Sequence, residues 1–380
     1  MHIWRILIVA MGLALGGPGA QAADHHPSET PLTQMIGQMI MVGFLGNTQE
    51  HFWFRKVAEQ VNSGKVTGVL YLARNVRDQA AVSAMNQVLA GSGSGGLPPL
   101  IGIDQEGGYV QRLTPDVGFL SLPSARRIAR TMEPADARDA YGALAQGLNN
   151  WGFNLNLGPV VDVDVNPYNP IIGRLGRSYS NDPNKVTEYA SAFVEAHRKY
   201  DVLTALKHFP GHGSSRTDSH KTDVDVSETW QPGELEPFRA LIRQRQADIV
   251  MSGHIRNRRL QRADDHHPAS LSHAVLTQLL RSQLGFSGVI ISDDMQMRAV
   301  SARFGFEEAV KKAVFAGNDI LIFANDKTPD LHIPDKVIAV LASAAETNAI
   351  LRARIKAAYQ RVVNLKRKLR QKASTGATLN

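Results

Sequence analysis

Eight short apolar runs rich in Val, Ile and Leu recur along the chain: Met39–Phe44, Val66–Leu72, Leu100–Asp104, Phe153–Val163, Val202–His208, Ile249–His254, Gly288–Ser292 and Ile320–Phe323. Helical stretches separate most of them, for example Ala135–Asn150, Val186–Lys199, Leu271–Leu284 and Phe306–Ala316. Strands that alternate with helices build a parallel sheet, and eight of them suit a closed (β/α)8 barrel of TIM type. An open doubly wound sheet is the other arrangement such alternation permits. No Gly-x-Gly-x-x-Gly follows any of the strands, which weighs against it. At 380 residues the chain exceeds the usual domain length of ~100–200, yet α/β barrels of this size are single domains. Only Gly91–Gly96 reads as a flexible insertion.

The polar residues fall where the apolar runs end. The third run gives Asp104-Gln105-Glu106-Gly107-Gly108 with Arg112 beyond, the fourth Asp162, Asp164 and Asn166, and the fifth Lys207-His208. The sixth gives Ser252-Gly253-His254 and the seventh Ser292-Asp293-Asp294. In a barrel the strand ends converge on one face, so these groups line a shared polar cleft. Carboxylates, Lys, Arg and His together satisfy hydroxyls as donors and as acceptors, which suits a neutral polyhydroxylated ligand.

One loop concentrates the reactive residues. Lys207-His208-Phe209-Pro210-Gly211-His212-Gly213-Ser214-Ser215-Arg216-Thr217-Asp218-Ser219-His220 leaves the fifth run through a Pro, two Gly and three Ser. An imidazole ordinarily titrates near ~6.5, close to working pH, so it can donate a proton to a leaving group. A carboxylate two residues away can orient the ring, and a Gly/Ser-rich loop can close over a bound molecule. Asp293, at a rigid strand end, is placed to be a nucleophile. His208, His212 and His220 with Asp293 also form a set that could hold zinc. However, His208-x-x-x-His212 crosses Pro210 and Gly211, so these two cannot share a helical face. A sugar-binding protein without catalysis stays in play as well. No cofactor and no metal are expected.

The two ends carry separate signals. His2 and Arg5 precede an apolar run from Ile6 to Leu15, and Ala20-Gln21-Ala22 is a small-x-small cleavage site. Residues 1–22 thus read as a signal peptide, leaving a mature domain over 23–380 that is exported, periplasmic or extracellular. Retention of the segment as an anchor is the alternative. The run is short of the ~20 residues that span a bilayer, and no later stretch approaches that length. There is no Cys, hence neither a disulfide nor a thiolate. Nine Lys or Arg and no acid lie between Arg352 and Lys372, so the formal +7 is concentrated there. Leu351, Ile355, Ala358, Val362, Leu365 and Leu369 make an apolar stripe at helical spacing. The expectation is a packed amphipathic C-terminal helix with a solvated basic face. Tyr359 is the only aromatic in the stretch, which argues against nucleic acid. Weak association with an anionic cell envelope stays open. The chain is expected to act as a monomer.

Four ordered motifs carry a resemblance. Ile103-Asp104-Gln105-Glu106-Gly107-Gly108, Lys207-His208-Phe209-Pro210-Gly211-His212-Gly213, Asp218-Ser219-His220 and Ile291-Ser292-Asp293-Asp294-Met295-x-Met297 resemble glycoside hydrolase family 3. They are closest to its β-N-acetylglucosaminidase (NagZ-like) branch, over residues 32 to 325 or so. Met251-Ser252-Gly253-His254 and Leu284-Gly285-Phe286 add to it. The resemblance implies a (β/α)8 domain that removes terminal β-linked N-acetylglucosamine with retention, from peptidoglycan fragments or chitin oligomers. It implies Asp293 as nucleophile and His220 as acid/base, with Asp218 as its partner and Asp294 as a structural neighbour. Asp104, Arg112, Arg177, Lys207 and His208 match residues that bind the terminal sugar. Two positions depart from the pattern. Tyr109 stands where Arg is expected in Glu-Gly-Gly-x-Val, and Gly173-Arg174-Leu175-Gly176 sets Arg174 beside Arg177 as a sugar ligand. A β-glucosidase or β-xylosidase type, or a phosphorolytic member, are the alternatives within the family.

Overall fold

The computed structural model describes residues 30–376, so the expected signal peptide lies outside the described residues. Eight parallel strands close a barrel: β1 (Ile40–Gly43), β2 (Gly68–Tyr71), β3 (Leu100–Ile103), β4 (Leu155–Asn156), β5 (Leu203–Phe209), β6 (Ile249–Ser252), β7 (Val289–Asp294) and β8 (Ile320–Phe323). Each strand pairs with its neighbours in sequence, and β1 closes the ring on β8 with Met41 opposite Ile322. The expected (β/α)8 barrel is therefore the fold. All eight apolar runs became its strands.

Alternation along the strands divides the core in two. Met41, Leu70, Leu155, Leu203, Ile249 and Ile291 fill the barrel, whereas Val42, Val69, Ile101 and Ile290 face the surrounding helices. The fourth strand is the one that shrank. The run Phe153–Val163 yields only Leu155–Asn156, because Pro159 has no amide to give to a ladder. Pairing resumes past it, where Val160 bridges to Lys207 and the Val161 amide donates to the Lys207 carbonyl at 2.8 Å. The stretch expected as a helix over Leu271–Leu284 is Ala274–Gln283, wound in the wider π form. Gly91–Gly96 forms a turn in which Gly95 and Gly96 take positive φ, 61° and 71°.

The C-terminal helix, Ala349–Gly376, crosses the end of the barrel where the strands begin. Leu351, Ile355 and Ala358 are buried in the outer core, and Val362 and Leu365 join Leu100, Leu203, Val289 and Ile320 in the inner one. The expected apolar stripe is thus buried. The expected solvated basic face is only part of the account, because several of its cations are tied to the barrel. Arg354 and Arg361 bond to the fully buried Asp319 at 3.0 and 3.2 Å, and Arg281 joins them. Lys368 bonds to Asp248 at 2.8 Å, and Arg352 donates to the Ala345 carbonyl. Lys366 is buried with its Nζ 2.8 Å from the Gln38 Oε1, and burial pulls its pKa down to about 7. No helix among the described residues is long and apolar enough to cross a membrane.

Candidate active site

At the opposite end of the barrel a cavity of about 560 Å³ is lined by Asp104, Glu106, Arg112, Arg177, Lys207, His208, Asp218, His220 and Asp293. All eight residues singled out in the sequence therefore meet in one place, from β5, β7 and the loops that follow β3, β4 and β5. A larger hollow of about 1040 Å³ lies among Phe304, Phe306, Val310 and Val340, but none of these strand-end groups reaches it.

The floor is an ion cluster. Lys207 Nζ lies 2.8 Å from Asp104 Oδ1 and 2.6 Å from Glu106 Oε1. Arg177 forks onto Glu106 with its Nε and Nη2 both at 2.8 Å, while its Nη1 donates to the Ile171 carbonyl. Arg112 approaches the other oxygen of Asp104 at 3.5 Å. Burial alone would raise the pKa of Glu106, yet the Arg177 and Lys207 charges outweigh it and hold this carboxyl well below its usual range. Asp104 is likewise lowered, burial being overcome by Lys207 and then Arg112. Lys207 is raised, since Asp104 and Glu106 overcome its own burial. Arg177 is buried in the wall whereas Arg174 is exposed and outside the cavity lining, so of the two it is Arg177 that reaches the site. Removing one member of a buried charge group leaves the others uncompensated, typically at a cost of about 3–5 kcal/mol. Glu106→Ala is therefore expected to lower stability by about that much in a denaturant titration, with weaker substrate binding in what remains folded. An unchanged unfolding midpoint would show that Glu106 does not hold the floor together.

Behind the floor, Asp162 is fully buried and accepts from the amides of His208 and His212 at 3.1 and 2.8 Å. It also meets His208 Nδ1 at 2.7 Å, which makes Nδ1 the donor and leaves Nε2 for a ligand. Burial would raise its pKa, but His208 and these donors bring it below the ordinary value.

Asp293 ends β7. Its Oδ1 accepts the Asp294 amide at 2.8 Å. Burial works against its ionisation, yet His254, His208 and His220 lie close enough to lower its pKa to about 2. Asp294 behaves in the opposite way. Burial, with the charge of Asp293 beside it, raises its pKa to about 6, although its Oδ1 accepts the Ala324 and Gln296 amides at 3.0 and 3.1 Å. His254, fully buried, donates from Nε2 to the Asp294 carbonyl at 2.9 Å and accepts from the Ser270 hydroxyl at Nδ1, 2.6 Å away. It thereby fixes the peptide that follows Asp294.

His220 faces solvent more openly, with its side chain 57% exposed. Asp218 Oδ1 accepts from both its amide, at 2.9 Å, and its Nδ1, at 2.8 Å, so the ring is clamped with Nε2 free for chemistry. Burial would raise the Asp218 pKa, but the His220 amide and ring lower it, keeping the carboxylate charged beside the imidazole. The base of the loop is held by His212, whose Nδ1 and Nε2 meet the hydroxyls of Ser215 and Ser219 at 2.6 and 3.1 Å. With both ring nitrogens engaged, His212 is not placed to ligate a metal with His208 and His220. Asn169 Nδ2 donates to the His212 carbonyl at 2.7 Å and to the Ser215 Oγ at 2.9 Å, bracing the loop from behind β4.

Glu106, Asp162 and His254 are the supporting residues that the sequence reading left without a role. Each was visible as a strand-end polar residue in an apolar context, and that was the only signal available.

The model of the glycosyl hydrolase family 3 N-terminal domain matches residues 31–365. The chain belongs to glycosyl hydrolase family 3. Within the family, it is 31% identical to beta-hexosaminidase A of Pseudoalteromonas piscicida over 94% of this chain and 65% of that protein. It is 33% identical to a beta-hexosaminidase of Tolumonas auensis, over 74% of this chain and 82% of the relative. The solved structure of a family 3 beta-N-acetylglucosaminidase from a Paenibacillus species superposes with a TM-score of 0.80 at 30% identity, covering 90% of this chain and 63% of that one. The chain thus spans just under two thirds of the length of the Pseudoalteromonas and Paenibacillus proteins. Its barrel and the resemblance read from the four motifs agree with this family.

Proposed function

We propose that the chain is a retaining exo-β-N-acetylglucosaminidase. The observation that carries this reading is the opposition of two unlike groups on one cavity. Asp293 is half-buried and held ionised at a strand end, and the clamped His220 shares that cavity from a loop. Retention needs a carboxylate that attacks the anomeric carbon and a donor that protonates the departing oxygen. Asp293 would form the glycosyl–enzyme bond while His220 Nε2 delivers its proton to the leaving group. In the second step the neutral imidazole takes a proton from water, which displaces Asp293 and restores the start. Asp104, Arg112, Lys207 and His208 would hold the hydroxyls of the terminal sugar, with Arg177 and Glu106 keeping Lys207 in place. The name of the Paenibacillus neighbour points to the N-acetylated sugar. A panel of aryl β-glycosides tests this. N-acetylglucosaminide should be cleaved with a higher kcat/KM than glucoside, xyloside or N-acetylgalactosaminide, and a preference for glucoside or xyloside would reassign the branch.

Export is the second part of the proposal, and it rests on residues 1–22 alone: a positive start, a short apolar run and Ala20-Gln21-Ala22. The natural glycans would then be peptidoglycan fragments or chitin oligomers outside the cytoplasm. N-terminal sequencing of the mature protein is expected to begin at Ala23 or a near neighbour. An intact Met1 would place the protein on an anchor or inside the cell.

A further inference from the structure

Four of the side chains that line the cavity are exposed: Tyr109, His220, Lys221 and Asp326. Three of these are engaged with opposite charges. His220 and Lys221 both meet Asp218, at 2.8 and 3.9 Å, and Asp326 meets Arg74 at 2.6 Å. Tyr109 is 73% exposed. Its ring is thus an uncommitted apolar surface at the mouth of a polar cavity.

The backbone beneath it is firmly held. Gln105–Gly107 and Val110–Gln111 form a hairpin in which Gly107 pairs with Val110, so Gly108 and Tyr109 are its two-residue turn. Gly107 and Gly108 have φ of +103° and +62°, values that favour glycine. A Cβ on Gly107 would stand 2.6 Å from the Pro123 carbonyl oxygen, so the turn lies directly on the following segment. The Gly108 amide donates to the Leu122 carbonyl at 2.8 Å, and Gln111 Nε2 donates to the Gly108 carbonyl at 2.9 Å. A turn clamped this way holds the tyrosine out in water at one fixed place.

The direction of the cavity gives that place a meaning. Lys207, His208 and Arg177 are buried at its deep end, whereas the donor His220 stands at its open end. The group that receives the proton leaves toward the mouth. We propose that Tyr109 is the stacking wall of a leaving-group subsite that takes a neutral pyranose ring, such as a second N-acetylglucosamine unit. The C–H face of an equatorially substituted sugar carries partial positive charge and meets the negative face of the tyrosine ring. This inference rests on the glycosidase reading of the same site.

The test compares N,N′-diacetylchitobiose with methyl β-N-acetylglucosaminide. Both leaving groups are alkoxides, and only the first carries a ring. Aromatic contacts of this kind are worth a factor of about 3–10 in binding. In Tyr109→Ala the ratio of kcat/KM for the disaccharide over the methyl glycoside is expected to fall by that factor, and Tyr109→Phe is expected to restore it. A ratio unmoved in Tyr109→Ala, with the wild type cleaving both substrates, overturns the subsite and leaves the glycosidase reading standing. A wild type that cleaves neither substrate overturns the glycosidase reading and the subsite with it.

Discussion

Asp293→Ala is expected to remove glycoside turnover by a factor on the order of 10⁴ or more, while the protein stays folded. The variant deletes the carboxylate proposed to attack the anomeric carbon, which its histidine neighbours hold ionised. Its neighbour cannot take over: the Asp294 Oδ1 accepts two backbone amides, and burial raises its pKa to about 6. The fold should survive, because among the described residues the side chain's hydrogen bond is to the adjacent amide. Azide is small enough to enter the space left by the carboxylate, and attack from that face would give an α-glycosyl azide. A pH profile adds an independent check. A carboxyl with a pKa of about 2 is ionised throughout the usual assay range. An acid limb in kcat/KM above pH 4 must then come from another group. Near-normal rates in a folded Asp293→Ala protein would remove Asp293 from the mechanism.

His220→Ala is expected to lose activity in proportion to how much its leaving group needs a proton. A nitrophenolate departs with little help, whereas a sugar alkoxide does not. General acid catalysis contributes about 10²–10⁴-fold, so cleavage of a disaccharide should fall by that amount and cleavage of a nitrophenyl glycoside by far less. Asp218→Asn should show the same pattern more weakly, because it spares the imidazole and removes the charge that clamps Nδ1. Azide added to His220→Ala should yield a β-glycosyl azide, the opposite anomer to that expected from the Asp293 variant. Equal losses on both substrates, with no azide product, would mean that His220 binds substrate and transfers no proton.

The residues proposed to react were legible as candidates in the sequence because each sits in a contiguous motif, at a strand end for Asp293 and on the loop after β5 for Asp218 and His220. Asp293 follows a run of β-branched residues, and Asp218 and His220 are close enough in the chain to find each other. What holds them in place was not legible, for a physical reason. Arg177 meets Glu106 across 71 residues and His208 meets Asp162 across 46. No local pattern announces a buried partner that arrives from another strand. The fold shows the same division. Apolar runs marked all eight strands, and Pro159, which shortened the fourth, stood in the sequence as well; the π winding of Ala274–Gln283 had no local signal. The basic helix shows it most clearly. A stretch of cations looks solvated until Asp319 and Asp248 arrive from the barrel to meet it.

The manner in which the ring closes bears on when this protein can become an object of its own. Strand β1 finds its second neighbour only in β8, about 280 residues later, and the helix that covers the barrel end away from the cavity follows after that. Contacts this distant in sequence bear the full entropy of loop closure before they return any stability. An emerging chain, whether leaving a ribosome or a membrane channel, therefore has two open sheet edges and an uncovered apolar interior until Val362 and Leu365 are free to dock. Such a chain stays threadable for most of its length.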